Sequence, residues 1–330
     1  MLRNVLFSFA VCCLFGACST KQEMDERPAD GAIRLGVRDV AETRASVNGM
    51  TELVAVGDKI GIFGIPTTEN SYVAGAARWG ALPVMDNVCT TSVDASTGSL
   101  AWKGTFYYPL DAEEHVQFCA YYPFAALGTD GADYLTAPVS GQAPVLHFTL
   151  TGGEDVMFAT PVVGSNASRP DKLSFHHALT QLRFELIDEF GAYTGATVES
   201  ITFVGVNAVG SMNIETGALG IWGGETDLPL SGFQATAITA SGADTPQALP
   251  GEMMLQPGLE SFKIQVVTSS GSFSDVVVRP TSKIGEQTET TFAAGRSYLI
   301  TLTFKKRFEI EVGATVEPWE FGGTGEGIVQ

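Results

Sequence analysis

Apolar and polar residues alternate along many short stretches of the chain, a pattern typical of half-buried β-strands. Clear examples are residues 33–37, 182–186 and 262–266. An apolar period of 3.6 residues hardly ever persists for ten residues, and glycine-rich turns separate the alternating stretches. The pattern therefore predicts an all-β fold built from β-sandwiches. The clearest alternation is in residues 308–316, where one face carries Phe308, Ile310, Val312, Ala314 and Val316.

The start of the chain differs from the rest. An apolar run at residues 5–17 follows a basic start and is too short to cross a bilayer as a helix. Small residues precede Cys18, which resembles a bacterial lipobox. Residues 1–17 are therefore predicted to be a signal peptide, and Cys18 is predicted to carry lipid; an ordinary cleaved secretion signal is the alternative. Residues 18–30 are polar and charged, which predicts a tether to the outer membrane.

Charge and length narrow the class of protein further. The chain has 330 residues and a formal net charge of −18. A surface this acidic repels phosphates, so nucleic acid is not expected as a partner. The length predicts two domains. Residues 163–171 are polar and rich in turn formers, which predicts an N-terminal β-sandwich domain at 31–166 and a C-terminal one at 167–330.

The cysteines allow one disulfide. Of the five cysteines, Cys12 and Cys13 belong to the predicted signal peptide. Cys89 and Cys119 remain in an exported chain, where an oxidising compartment permits pairing. A bridge that closes a loop of about thirty residues would stabilise the fold by roughly 3–4 kcal/mol. We predict this bridge, and two buried free thiols are the alternative.

Catalytic chemistry is not indicated. The sequence contains no HExxH, CxxC or GxSxG motif and no calcium-binding loop. The adjacent His176 and His177 point to opposite faces of a strand, so they cannot easily bind one metal ion. The carboxylate pairs at residues 113–114 and 188–189 fall in predicted turns, where we expect solvated charges. No enzyme activity, cofactor or metal is therefore expected.

Aromatic residues cluster beside prolines at residues 106–109 and 121–124. Rings such as those of Tyr121 and Tyr122 could stack on a glycan at the end of a sandwich. The alternative is that they cover the end of the hydrophobic core, because aromatic side chains provide large buried area.

Several segments together resemble the fimbrillin (Mfa-like) family of Bacteroidales, in the order that the family shows. The resemblance covers nearly the whole chain after the signal peptide. The matching segments are Thr43-Arg44-Ala45, residues 56–64, residues 155–159, residues 173–184, residues 295–298 and Trp319.

The resemblance implies two transthyretin-like β-sandwich domains and a subunit of a surface fimbria. Such subunits are exported as lipoproteins and then cut by an arginine-specific protease after an N-terminal strand. By residue match the cut falls between Arg44 and Ala45, and the released strand carries Ile33, Leu35 and Val37. The groove left behind accepts a strand from a neighbouring subunit, so the implied partners are other fimbrial subunits.

The donor strand and the role of the subunit stay open at this point. Residues 308–316 have the alternation that a donor needs, but they could also be the permanent last strand of the second domain. Stalk, tip and anchor roles are all compatible with the sequence. A surface lipoprotein that does not polymerise, or a tip adhesin that binds a glycan or a host protein, is the alternative function.

Overall fold

The computed structural model describes residues 31–37, 59–94, 97–131, 133–239, 245–281, 283–284, 287–306 and 309–317. From Ala32 onward, the described residues form one compact unit. The predicted signal peptide and tether lie outside the described residues. No helix capable of spanning a membrane occurs in the described part of the chain.

The secondary structure of the described residues consists of strands, which confirms the predicted all-β class. The strands are β1 Gly36–Val37, β2 Gly61–Thr67, β3 Met85–Val93, β4 Leu100–Trp102, β5 His115–Tyr122, β6 Tyr134–Leu135, β7 Val145–Thr149, β8 Met157–Ala159, β9 Val162–Gly164, β10 Lys172–Leu173, β11 Phe175–His177, β12 Thr180–Asp188, β13 Thr197–Asn213, β14 Leu219–Pro229, β15 Thr236–Ala237, β16 Gln247–Leu255, β17 Phe262–Thr268, β18 Gly271–Val278, β19 Lys283–Ile284, β20 Gln287–Thr288, β21 Arg296–Lys306 and β22 Glu309–Glu317.

One sheet is formed mainly by strands from the first half of the chain. Its strands lie in the order β11-β8-β5-β2-β3-β4, and β9 also pairs with β5. The central strands β2 and β5 are antiparallel and buried on both faces. On β5, Phe118 faces one hydrophobic cluster and Cys119 faces another. Because neighbouring strand residues point to opposite faces, this sheet separates two cores.

Two further sheets enclose the larger core. One has the order β18-β17-β13-β7-β6, with β14 and β15 also paired to β13, and the other has the order β16-β12-β21-β22. The ring of Phe184 on β12 packs edge-on against Phe203 on β13, with 5.9 Å between ring centroids. Side chains of both sheets share one buried cluster, which is the packing of a β-sandwich.

Hydrogen-bonded pairing crosses the domain boundary that the sequence predicts at residue 166. Strand β7 precedes this boundary but pairs with β13 beyond it. Strands β10 and β11 follow the boundary but pair with β1 and β8 before it. The two-domain division stays a prediction, and the strand pairing ties the two halves together.

The two cysteines that were predicted to form a disulfide are free. Cys89 lies on β3 and Cys119 lies on β5, with β2 between them. Two strand spacings amount to about 10 Å, whereas a disulfide needs Cα atoms within about 7 Å. The predicted bridge is therefore not formed in this fold.

Candidate functional site

The N-terminal segment, residues 32–37, lies inside the fold and not along its surface. On one side it runs antiparallel to the stretch that includes β4. The Ile33 N–H donates to the Phe106 carbonyl oxygen at 2.8 Å, and the Leu100 N–H donates to the Leu35 carbonyl oxygen at 2.9 Å. This side of the segment is therefore held by backbone hydrogen bonds, which do not depend on the side chains of the segment.

The other side of the N-terminal segment contacts the start of the second half of the chain. Strand β1 pairs in parallel with β10, so that Gly36 lies beside Lys172 and Val37 beside Leu173. The Gly36 N–H also donates to the Asp171 carbonyl oxygen at 2.7 Å. The segment is thus inserted between two backbone edges, and both edges would lose partners if it left.

The side chains of the segment fill a hydrophobic groove. Ile33, Leu35 and Val37 are only 3%, 3% and 1% exposed, whereas Arg34 between them is exposed. Each such side chain contributes roughly 1.5–3 kcal/mol when fully buried. We call the residues that surround them the groove cluster: Ile60, Ile62, Met85, Val93, Leu100, Tyr108, Val116, Phe118, Ala120, Met157, Ala159, Leu173 and Phe175.

Gly36 lies where two backbone edges come close to the N-terminal segment. A Cβ atom at this position would lie 3.1 Å from the Gly98 carbonyl oxygen and 3.3 Å from the Asp171 carbonyl oxygen. Both distances are tighter than ordinary Cβ contacts, and both neighbours are backbone atoms that would have to shift by a few tenths of an ångström to admit a side chain. The groove therefore favours a glycine at this position. The sequence alternation alone did not reveal this requirement.

A contact between two side chains joins two of the strands that line the groove. The Asp155 Oδ2 atom lies 2.7 Å from His177 Nδ1, and these side chains are 1% and 10% exposed. Asp155 lies two residues before β8, and His177 is the last residue of β11. Strands β8 and β11 pair with each other and contribute Met157, Ala159 and Phe175 to the groove cluster. The pair joins two segments that carry the family resemblance.

The face of β5 that points away from the groove carries a polar contact that sequence reasoning missed. Glu215 is 5% exposed and lies in the turn after β13. Its Oε2 accepts from Trp79 Nε1 at 2.7 Å, and its Oε1 accepts from Gln117 Nε2 at 3.1 Å. The turn after β13 is thereby fixed to the sheet that forms the floor of the groove.

The C-terminal candidate donor, β22, is an edge strand. It pairs antiparallel with β21. Ala314 is fully buried, and Ile310, Val312 and Val316 are partly buried against the larger core. On the outer edge, the Thr281 N–H donates to the Ala314 carbonyl oxygen at 2.9 Å, and the Ala314 N–H donates to Thr281 Oγ1 at 3.1 Å. Phe308, the first residue of the predicted alternation, lies outside the described residues.

The proposed stacking of Tyr121 on a glycan is wrong, because this ring is fully buried. Its hydroxyl donates to Asn87 Oδ1 at 2.7 Å, and burial raises its pKa. Tyr122 is half-buried and packs on the groove cluster. Tyr108 is 4% exposed, whereas Tyr107 is 55% exposed. The structure supports the core-covering interpretation for Tyr121 and Tyr108.

Two further titratable groups that the sequence analysis singled out, His176 and Asp188, each have hydrogen-bond partners of their own. His176 is exposed and its Nε2 lies 2.8 Å from Thr160 Oγ1. Asp188 was expected to be solvated but is 3% exposed, and it accepts from the Tyr193 N–H and the Thr194 hydroxyl at 3.1 and 2.8 Å. No group of three His, Cys, Asp or Glu side chains suited to a metal ion occurs among the described residues.

Three sites predicted near the chain ends cannot be placed. Cys18, the Arg44–Ala45 bond and Trp319 all lie outside the described residues.

The fold and the groove define an all-β sandwich protein whose N-terminal segment completes the wall of its own core. Residues 43–319 match the model of the fimbrillin-like family, so the chain belongs to that family. No match was found among curated protein sequences.

Solved structures show the same fold. A fimbrial protein from Bacteroides vulgatus superimposes with a TM-score of 0.61 at 17% identity, over 87% of this chain and 99% of that one. A candidate cell adhesion protein from Bacteroides uniformis gives 0.52 at 20% identity, over 88% of this chain and 100% of that one. Membership of the fimbrillin-like family supports a fimbrial or adhesion role at the cell surface.

Proposed function

We propose that the chain is a structural subunit of a surface fimbria that assembles by strand exchange. It is exported as a lipoprotein acylated at Cys18 and anchored in the outer membrane. An arginine-specific protease then cuts between Arg44 and Ala45, and the N-terminal segment leaves its groove. The observation that carries the proposal is the insertion of residues 32–37 between two backbone edges, with three apolar side chains buried in the groove cluster.

Removal of the segment leaves two needs to be met: the exposed apolar side chains must be covered, and the backbone groups must regain hydrogen-bond partners. The groove cluster loses the side chains that cover it, and exposed apolar surface of this kind favours association. The backbone groups of Gly98, Leu100, Phe106 and Asp171 also lose their partners in the segment. An extended strand from another subunit meets both needs, because main-chain hydrogen bonds provide affinity and side-chain pockets provide specificity.

The insertion also explains why a protease is needed. While the segment is covalently attached, it competes with any incoming strand at a very high effective concentration. A cut at Arg44 turns the segment into a separate peptide that can dissociate. The segment after the cut still makes its contacts, so its release depends on a competing strand or on dilution.

The donor in this proposal is β22, which alternates as required and lies at the edge of its sheet. Strand β22 pairs along its length with β21 alone and contacts Thr281 at Ala314 on its outer edge, so fewer backbone hydrogen bonds are broken than for a central strand when it leaves. The role is structural, and the proposal assigns no catalytic residue and no cofactor.

The experiment is limited digestion of the exported chain with an arginine-specific protease, followed by intact-mass measurement and size-exclusion chromatography. We expect one early cut after Arg44 and the appearance of oligomers. Arg44→Ala should abolish both, whereas the matched variant Arg38→Ala should be cut normally. If Arg44 resists cutting in a folded monomer, the segment is permanent and a surface lipoprotein that does not polymerise becomes the function to test.

A further inference from the structure

We infer that β22 of a second copy of this chain occupies the groove, in the register that places its Gly313 where Gly36 lies now. This inference rests on the proposed strand exchange and names the partner and the register. The specificity-determining residue is Gly313.

The groove imposes a pattern on any strand that enters it. The places of Ile33, Leu35 and Val37 are buried and apolar, while the place of Arg34 is exposed. At the place of Gly36 a Cβ would meet two backbone carbonyl oxygens at 3.1 and 3.3 Å. The required pattern over five residues is therefore apolar, polar, apolar, glycine, apolar.

Strand β22 carries this pattern in the same direction and with the same spacing. Residues 310–314 read Ile-Glu-Val-Gly-Ala, and residues 33–37 read Ile-Arg-Leu-Gly-Val. The exposed Glu311 takes the place of Arg34. A shift of two residues in either direction keeps the apolar face but puts Glu311 or Thr315 at the glycine position. The contacts of Gly36 therefore select one register.

Gly313 has no evident reason to be glycine where it lies now. A Cβ on it would have no atom within 4 Å, and its φ angle lies outside the left-handed region. Glycine in a strand interior weakens the strand, because it offers no side chain to pack and loses more backbone entropy. The glycine is thus unnecessary within β22 and necessary in the groove of another copy.

The resident segment fits the groove better than the incoming strand does. Val312 has one side-chain carbon atom fewer than Leu35, and Ala314 has two fewer than Val37. The uncut chain therefore keeps its own segment, and exchange begins only after the covalent link is cut. β22 must also give up the contacts of Ala314 with Thr281 when it leaves its sheet.

The C-terminal tail also contains a stretch that places a glycine at this position. Residues 319–323 read Trp-Glu-Phe-Gly-Gly. This stretch would put aromatic rings where Ile33 and Leu35 are each 3% exposed, and a glycine where Val37 is buried. Rings are larger than these closely packed places, and overpacking is destabilising. The variant Gly322→Ala tests whether this stretch competes with β22 for the groove.

The experiment compares residues 19–330 with four sequences: wild type, Gly313→Ala, the control Thr315→Ala and the competitor variant Gly322→Ala. Each is digested with the arginine-specific protease, and oligomer mass is followed over time by light scattering. We expect wild type, Thr315→Ala and Gly322→Ala to assemble, and Gly313→Ala to assemble at least tenfold more slowly. Undigested Gly313→Ala should unfold at the wild-type temperature or above it.

A mixing experiment separates a donor defect from general damage. Gly313→Ala keeps an intact groove, so digested Gly313→Ala added to digested wild type should accept a wild-type strand and end the growing chain. Mean oligomer length should fall as its fraction rises. Thr315→Ala should leave mean length unchanged.

The outcomes distinguish this inference from the proposed function. If wild type and Gly313→Ala assemble equally, the register is wrong and strand exchange stands. If Gly322→Ala is the variant that fails, the C-terminal tail is the donor and β22 is not. If wild type is cut after Arg44 but never forms oligomers, both the inference and the proposed function are overturned.

Discussion

The side chains of Asp155 and His177 are in hydrogen-bond contact, with 2.7 Å between Oδ2 and Nδ1, beside the strands that line the groove. Asp155 lies two residues before β8, and His177 is the last residue of β11. A hydrogen bond from the Ala178 N–H to the Val156 carbonyl oxygen, at 2.8 Å, lies beside this contact. Both contacts belong to the body of the fold and not to the N-terminal segment.

Replacing His177 by alanine should destabilise the chain by roughly 1–3 kcal/mol, because it removes a hydrogen-bond partner of the buried Asp155 carboxyl group. Urea unfolding followed by fluorescence measures this. The neighbouring exposed His176→Ala is the matched control and should cost less than about 1 kcal/mol. Equal effects of the two substitutions would show that the buried pair has no special role.

Leu35→Ala should destabilise the uncut chain by about 2–5 kcal/mol, since it removes a buried side chain and leaves a cavity in the groove. In the cut chain, the same substitution should speed release of the N-terminal peptide. Arg34→Ala, one residue away and exposed, should change stability by less than about 0.5 kcal/mol. Peptide release is measured by mass spectrometry after rapid dilution. A Leu35→Ala peptide that leaves no faster than wild type would contradict the packing described here.

Gly36→Ala and Gly313→Ala should act in opposite directions on the uncut chain. At Gly36 the added carbon meets two carbonyl oxygens, so we expect a loss of about 1–3 kcal/mol. At Gly313 the added carbon enters open space, so we expect no loss or a gain of about 0.5–1 kcal/mol. Thermal unfolding of both variants under one condition checks the pair. A destabilised Gly313→Ala chain would mean that β22 itself needs the glycine.

The two thiols should both be free and should differ in reactivity. Cys119 is fully buried, and burial raises the pKa of its thiol to about 12, so the reactive thiolate is scarce at neutral pH. Cys89 is half-buried, and burial raises its pKa as well. In residues 19–330 we expect alkylation of Cys89 first, and of Cys119 only after unfolding. Finding no free thiol in the unfolded, unreduced chain would restore the disulfide.

Local periodicity was sufficient to predict the strands, because alternation depends on neighbouring residues only. The stretches at 182–186 and 262–266 lie within β12 and β17, and Ile33, Leu35 and Val37 are buried as their spacing predicts. Pairings between distant residues could not be predicted this way. Strand β7 joins the sheet of β13, and Glu215 contacts Trp79 across 136 positions of sequence.

The candidate site was predictable in part. The apolar face of the N-terminal segment is visible in the sequence. The family resemblance implies that this segment is released after proteolytic cleavage. The requirement for glycine at Gly36 depends on carbonyl oxygens of Gly98 and Asp171, which come from distant parts of the chain. Tyr121 was ambiguous for the same reason, since its burial depends on partners such as Asn87 on another strand.

The most direct test of strand exchange is native mass spectrometry of residues 19–330 during digestion at Arg44. The account predicts that each oligomer of cut subunits has lost the peptide of residues 19–44 from every filled groove, so that peptide loss and subunit joining rise together. Oligomers that retain one such peptide per subunit would contradict it, because the groove would then still be occupied by its original segment.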